Sequence, residues 1–250
     1  MAEFTRQFTN TPASQILTSI GSLVEGAHTL VAIIKYEGNG NIIRTLNALD
    51  EELAGPTMAI NGGTLLGWGG FATEEILPPS GSWSLVAVGK GAGTVKPRQH
   101  LYNFLTKVFT HRDQNENKGE GSKANWSKYR LGGKLNAIGP YKGAIAAIAV
   151  FAQNLTDKQI EELVSAGSIG AWLTMSPAPI ALWEFKQASV AEELLDLVGT
   201  ANQTERKETS VLEEAPPIPY LSGKFVKVLI GGVVKEVKRW ILVKGELLSK

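Results

Sequence analysis

The side chains of this 250-residue chain that most often do chemistry in proteins are carboxylates and histidines, and their spacing does not assemble a reaction centre. Hydrolysis of a glycoside needs two carboxyl groups that converge on one bond, one as acid and one as base or nucleophile. Here the acidic residues are adjacent, and neighbours along a strand point to opposite faces. Solvated loops or helix faces explain these groups better: Asp50-Glu51-Glu52, Glu74-Glu75, Glu161-Glu162, Glu192-Glu193 and Glu213-Glu214. The sequence therefore predicts no carboxylate-based hydrolase.

Metal, nucleophile and phosphate chemistry also lack their motifs. His28, His100 and His111 are scattered and have no partner at metal-ligand spacing, and the chain has no cysteine. Serines near glycines do not form a nucleophile elbow. Residues 89–93 resemble a phosphate loop but lack the Gly-Lys-Ser/Thr ending and a following helix, so we expect a hairpin turn there. We therefore predict that the protein is not an enzyme and has no metal site and no cofactor.

Composition narrows the class of protein and its partners. The formal net charge of +1 provides no field that would attract nucleic acid or an anionic membrane, so we expect neither as a partner. A hydrophobic content of 43% supports a real core, and 250 residues suffice for one large all-β domain with a small appendage. No segment is apolar enough for a membrane helix, and residues 1–10 lack the apolar core of a signal peptide. We therefore expect a protein that is made soluble, without a cleaved signal.

Short strands with turn residues between them are expected to position the side chains. Residues 29–36, 82–88 and 180–185 are the clearest strands, and they contain Trp83 and Trp183 as predicted core residues. We also expect one strand over residues 100–110 and a polar surface loop over residues 111–126. Many short strands at close spacing favour a two-sheet antiparallel sandwich over an α/β fold.

One helix signal follows an apolar run at residues 145–151 that predicts a buried strand. Thr156 stands three residues before Gln159, the spacing of a capping box, and Gly167 lies where a short helix would end. The predicted apolar stripe of the helix consists of Ile160, Leu163 and Val164. The chain thus predicts a single short helix directly after a buried strand.

This order of strand, loop and helix resembles the closing strand and short helix of concanavalin A-like, laminin G-type jelly-roll domains. The matching residues are Gly143, Ile145, Ile148, Val150, Phe151, Asn154, Leu155, Thr156, Gln159, Ile160 and Leu163. Ala146 and Ala147 stand where the family often has acidic residues, so no binding role is carried over to them. The resemblance implies an all-β fold for residues 1–212, an antiparallel two-sheet jelly-roll sandwich with one short helix.

The end of the chain has a different organisation. The prolines of residues 213–219 predict a stiff, extended linker. Residues 229–235 recur as residues 242–248 in a pattern of strand, glycine turn and strand, with Gly231-Gly232 as a two-residue hairpin signal. Two such copies are too small to bury a core, so we predict that residues 220–250 form a β-hairpin module that assembles with other subunits. The alternative is that this module folds back on the sandwich. The predicted assembly residues are Val228, Ile230, Val233, Trp240 and Leu242.

The same module resembles the end of minor tail proteins of bacteriophages that infect actinobacteria, in segments of the form VKVGGVWKPVKRWVKVGGxWK. The matching residues are 226–228, 231–233, 235, 237–240 and 243–245. Residues 83–102 resemble central strands of the laminin G-like domain in those tail proteins. The resemblance implies a structural protein located in the virion, in the phage tail. It also implies partners: other tail proteins, further copies of the chain in a homo-oligomer, and a host-surface polysaccharide.

Five residues are candidates for the glycan contact that the resemblance implies. Trp68, flanked by glycines, either exposes its ring for stacking on a sugar or plugs the end of the sandwich. Trp126 and Tyr129 border a polar loop in which Asp113 and Asn115 offer carboxylate and amide groups to sugar hydroxyls or to Ca²⁺, although nothing else in the sequence supports calcium. An ordinary solvated loop is the alternative. A free carbohydrate-binding lectin and a head or tail decoration protein without a ligand also stay open as functions.

Overall fold

The structure is a computed structural model that describes part of the chain in atomic detail. The described residues are 5–9, 15–19, 26–46, 52–61, 64–68, 76–119, 126, 128–132, 140–185, 197–198, 203–207, 209–212, 217–218, 225–230 and 233–238. Of these, residues 15–19, 52–54, 203–207, 209–212, 225–230 and 233–238 are described by their backbone alone. Trp240 and Leu242, and the second copy of the terminal repeat, lie outside the described residues.

Strands dominate the fold. They are β1 (Thr5–Phe8), β2 (Gln15–Ser19), β3 (His28–Gly38), β4 (Gly40–Leu46), β5 (Glu52–Asn61), β6 (Thr64–Gly67), β7 (Trp83–Lys90), β8 (Arg98–Asn103), β9 (Val108–Asp113), β10 (Lys128–Gly132), β11 (Lys142–Phe151), β12 (Ala181–Glu184), β13 (Gln203–Lys207), β14 (Thr209–Leu212), β15 (Phe225–Ile230) and β16 (Val233–Lys238). One α-helix, α1 (Asp157–Ser165), and one 3₁₀ helix, Ile169–Thr174, follow β11.

The strands form two large antiparallel sheets. The eight-stranded sheet has the order β14-β1-β11-β3-β7-β8-β9, with β12 pairing beside β1 along the same edge of β11. The six-stranded sheet has the order β13-β2-β10-β4-β5-β6. The prediction of an all-β, two-sheet jelly-roll sandwich with one short helix is confirmed. One boundary is wrong: the strand expected over residues 100–110 is the hairpin β8–β9, and His111 to Asp113 belong to β9 rather than to a loop.

At its centre, the eight-stranded sheet is buried on both of its faces. Its inner face packs on the other sheet through residues such as Ile148 and Trp183. Its outer face is covered by α1 and the 3₁₀ helix, whose Ile160 and Trp172 pack on Ala147 and its neighbours. A strand buried on both faces needs apolar side chains at every position, which explains the unbroken apolar run of β11.

The start of α1 follows the predicted capping box. The Gln159 amide donates to Thr156 Oγ1 at 3.3 Å, and the Thr156 amide donates to Gln159 Oε1 at 2.9 Å. These two bonds satisfy backbone donors that a helix leaves open at its first turn. Asp157 is consequently held as the first helical residue, at the edge of the sheet's outer face.

Part of the C-terminal region packs with the sandwich. β13 and β14 extend the two sheets, and Ile218, within the predicted linker, is only 3% exposed in the outer-face core. Beyond it, β15 and β16 pair antiparallel from Phe225↔Lys238 to Ile230↔Val233. That register leaves two residues, Gly231 and Gly232, between the strands, as expected for a two-residue hairpin connection.

Candidate functional site

Three of the five predicted glycan-binding residues are core residues. Trp68, Trp126 and Tyr129 are 8%, 7% and 0% exposed, and all three belong to the cluster between the sheets. A sugar that stacks on an aromatic ring needs an accessible ring face, so the prediction that these rings bind glycan is corrected. Trp68 was expected either to expose its ring or to fill the end of the sandwich, and its burial agrees with the second interpretation.

Local contacts account for the burial of these rings. The Trp68 amide donates to the Thr57 carbonyl at 3.2 Å, and Trp68 adopts a φ of 52° directly after β6. Trp126 lies so close over Gly55 that a Cβ there would be 2.9 Å from its Nε1. Tyr129 meets the Trp183 ring edge to face, with centroids 5.7 Å apart. Each ring therefore fills space between the sheets.

Asp113 and Asn115 are exposed, on a segment that is anchored at both ends. Asp113 ends β9, and its carboxylate accepts from Arg98 Nη1 at 2.9 Å. The next residue, Gln114, is fully buried, and its amide, oriented so that both groups are satisfied, bonds the amide and carbonyl of Gly67. The Lys118 amide then donates to the Val95 carbonyl at 2.9 Å. Residues 113–118 thus form a braced surface segment, which we name the β9 rim.

A polar cluster supports this rim from the outer face of the sheet. Asp157 Oδ1 and Oδ2 each accept from the Arg98 guanidinium at 2.7 Å, a bidentate pair. His100 Nε2 lies 2.8 Å from Asp157 Oδ1, and His111 Nε2 lies 3.4 Å from Oδ2. Arg98 reaches Asp113 as well as Asp157, so one guanidinium joins β8, β9 and α1. We call Arg98, His100, His111, Asp113 and Asp157 the Asp157 cluster.

Two pKa values within the Asp157 cluster are lowered, for different physical reasons. The hydrogen bonds from Arg98, and then from His100, hold the pKa of the Asp157 carboxyl well below its usual range. Burial lowers the pKa of His100, and the hydrogen bond to Asp157 opposes that shift only in part. His100 Nδ1 is buried without a hydrogen-bond partner, as expected for a neutral ring that donates from Nε2. An acid or base in catalysis exchanges its proton near the working pH, whereas Asp157 stays ionised there. The geometry fits a structural brace.

Sequence reasoning missed this cluster, although it left a signal. Arg98 and His100 are two residues apart, as are His111 and Asp113, so each pair lies on one face of its strand. Pairing of β8 with β9 places Arg98 opposite Asp113 and His100 opposite His111. Two of the three histidines described above as scattered, His100 and His111, are therefore neighbours, with ring centroids 6.3 Å apart.

Within the described ranges, the protein has neither a metal-binding group of side chains nor a membrane-spanning helix. No group of three or more His, Asp or Glu side chains there has an arrangement that would hold a metal ion. None of the helices there has the length and apolar character needed to cross a membrane.

Comparison with known proteins gives similarities of fold at low identity. No protein-family model and no curated protein matches the chain. A heptameric SAP-like pentraxin from Limulus polyphemus aligns with a TM-score of 0.44 and 14% identity, covering 83% of this chain and 98% of that one. The full-length tailspike protein 2 of an Escherichia coli O157:H7 bacteriophage aligns with a TM-score of 0.39 and 12% identity, covering 72% and 26%. Scytalido-glutamic peptidase aligns with a TM-score of 0.33 and 12% identity, covering 57% and 83%. Similarities of this degree identify no family.

Proposed function

We propose that the chain is a structural protein of a bacteriophage tail. Its sandwich, residues 1–212, presents the β9 rim to a polysaccharide of the host surface. Its C-terminal module, residues 220–250, joins the subunit to further copies and to other tail proteins. The sequence resemblance of the module to minor tail proteins motivates this proposal, and the geometry of the β15–β16 hairpin is the observation that carries it.

The hairpin is a two-stranded sheet of its own. Within the part of the chain that the structure describes, β15 and β16 pair with each other and with no strand of the sandwich. In a pair of β-strands, residues that lie directly opposite each other share a face of the sheet, as do residues two positions apart along one strand. The register of β15 and β16 therefore places six residues on one face. That set is Val226, Val228, Ile230, Val233, Lys235 and Val237. Five of these six positions are apolar, among them three of the predicted assembly residues.

An apolar face on an isolated hairpin needs a partner. Two strands alone are at best marginally stable in water, because they bury too little apolar surface to offset their ordering entropy. The opposite face is mixed, because Lys227, Glu236 and Lys238 share it with three apolar residues: Phe225, Leu229 and Val234. A hairpin with one largely apolar face and one mixed face is suited to packing its apolar face against a further copy of itself, which supports an assembly role for residues 220–250.

The assembly role is tested by placing a charge on either face of β15 in the full chain. We expect Ile230→Asp to lower the mass in solution, measured by light scattering, by about twofold or more, because it buries a carboxylate in the contact. Leu229→Asp is the matched control, since it changes the neighbouring position on the opposite face and should leave the mass unchanged. A wild-type chain that is monomeric at every concentration, or an Ile230→Asp chain of unchanged mass, contradicts the proposal.

The adhesion role rests on the two exposed groups of the β9 rim. The Asp113 carboxylate and the Asn115 amide can hydrogen-bond sugar hydroxyls, and the neighbouring Gln114 anchor keeps the segment in one conformation. We expect Asn115→Ala in the full chain to weaken binding to a bacterial surface polysaccharide about tenfold, the loss of roughly 1.4 kcal/mol for one hydrogen bond.

A panel of purified surface polysaccharides and a calorimetric titration provide the measurement. Glu161→Ala, on the exposed side of α1, is the control and should bind like the wild type. If no polysaccharide in the panel binds the wild-type chain, the adhesion role fails and a decoration protein without a ligand is the better interpretation.

A further inference from the structure

Strand β9 is an open edge of the eight-stranded sheet. It ends the strand order, and among the described residues no strand pairs with its outer side. All six of its residues are at least partly exposed. Apolar side chains are exposed here too: Leu105, in the turn that precedes β9, is 77% exposed, and Val108, the first residue of β9, is 54% exposed. An edge with free backbone groups and apolar neighbours is a template for a further strand.

The pairing of β9 with β8 determines which backbone groups of β9 point towards β8 and which point to the open side. The Gln114 amide donates to the Pro97 carbonyl at 2.7 Å, one position beyond the Arg98↔Asp113 pair. Hydrogen-bonded and non-hydrogen-bonded pairs alternate in an antiparallel ladder, so Thr110 directs its amide and carbonyl towards β8. Phe109 and His111 consequently direct theirs outward, to the open side of the strand.

The open edge is complementary to itself. When two β9 strands run antiparallel with Thr110 opposite Thr110 of the second copy, Phe109 comes opposite His111, and Lys107, in the turn before β9, comes next to Asp113. Val108 then lies opposite Arg112, whose aliphatic stem can cover it. Threonine pairs, aromatic pairs and opposite charges are the cross-strand pairs that stabilise sheets.

The neighbouring register that is centred on His111 is less favourable. Centring the pair on His111 sets two histidines against each other and places Phe109 opposite Asp113. It therefore loses the threonine pair, the two aromatic pairs and the two charge pairs at once.

We propose that two copies of this chain pair through β9 about a two-fold axis at Thr110, joining their eight-stranded sheets edge to edge. The outward amides and carbonyls of Phe109 and His111 form the bonds between the copies. A two-fold contact repeats each pair, so the Lys107–Asp113 attraction acts twice. The inference concerns the sandwich alone and does not depend on the proposed tail function or on the β15–β16 hairpin.

A single cysteine tests the register directly, because the chain has no cysteine of its own. Thr110 of one copy would face Thr110 of the other in a non-hydrogen-bonded pair, in which the two Cα atoms are about 4.5 Å apart. That distance lies at the short end of the range of about 4.4 to 6.8 Å that a disulfide spans. We expect full-length Thr110→Cys to form a covalent dimer on oxidation, which a reductant reverses. Thr106→Cys, exposed in the β8–β9 turn away from the axis, is the control and should stay monomeric on a non-reducing gel.

Two further variants separate this contact from the others. Thr110→Cys should still cross-link in a chain that also carries Ile230→Asp, which removes assembly through the hairpin. Thr110→Lys places two ammonium groups opposite each other and should lower the mass in solution, whereas Thr106→Lys should not. Absent cross-linking at position 110, or equal rates at positions 110 and 106, overturns the proposal. A partner strand from a different protein would leave Thr110→Cys uncross-linked and is excluded by the expected dimer.

Discussion

Trp183→Ala is expected to lower the free energy of unfolding by about 4 kcal/mol, which lies within the range measured when tryptophan or phenylalanine is replaced by alanine in protein cores. Trp183 lies on β12, fully buried between the sheets, and its strand neighbour across the ladder is Ile148. The edge of the Tyr129 ring packs against it. Hydrogen-bonded sheets cannot move closer together to fill the space that the indole leaves. The cavity therefore persists, and the side chains that line it lose packing contacts.

Equilibrium urea unfolding of the two variants Trp183→Ala and Trp83→Ala provides the comparison. Trp83 is a tryptophan in the same sheet that is only partly buried, beside the outer-face core. Its truncation should cost about half as much or less, since part of its surface is exposed in the folded state. Equal losses for the two variants would show that the centre of the sandwich isn't packed as described.

The second large effect is expected for Asp157→Ala, about 3 kcal/mol of unfolding free energy at neutral pH. The change removes charge-assisted hydrogen bonds from Arg98 and His100 and leaves the buried His100 without its partner. It also removes a negative charge from the first turn of α1, where the helix dipole favours it. Arg98 and Asp157 are about one third exposed, so solvent screening keeps the loss well below the sum of the separate bonds.

The pH dependence separates this explanation from loss of packing. Because the pKa of Asp157 is lower in the folded than in the unfolded chain, its stabilisation is fully present above the unfolded pKa and is lost as pH falls through the folded pKa. The difference in unfolding free energy between the wild type and Asp157→Ala should therefore not decrease until pH falls below about 4. Glu161→Gln, exposed on the same helix, is the control and should cost less than about 0.5 kcal/mol. A difference in unfolding free energy that disappears between pH 7 and pH 5 would contradict the explanation that the ionised Asp157 carboxylate provides the stabilisation.

Several elements were predictable from the sequence because the interactions that form them are local. The capping box of α1 joins Thr156 and Gln159 across three residues, so their spacing alone identifies it. The apolar run of β11 marks a strand covered on both faces. The Gly-Gly connection predicts the hairpin β15–β16, whose register leaves two residues between its strands.

The β8–β9 hairpin was not predictable in the same way. Its turn has neither glycine nor proline, and Lys107 adopts a φ of 57° that usually indicates glycine. The Asn103 side chain supports this turn by accepting from the amides of Leu105 and Thr106. A turn held by one side chain has no composition signal, so the two strands were taken as one, and the pairing of His100 with His111 was missed.

The sequence by itself determined the class of fold and the elements that have a local signal, because strand periodicity, helix capping and turn chemistry act between residues a few positions apart. Only the tertiary structure decided which side chains are accessible and which meet. Burial of Trp68, Trp126 and Tyr129 depends on how the two sheets stack. The bidentate contact between Arg98 and Asp157 joins residues 59 positions apart. Accessibility and long-range contact are properties of the packed chain, since they depend on what the other elements place over each residue.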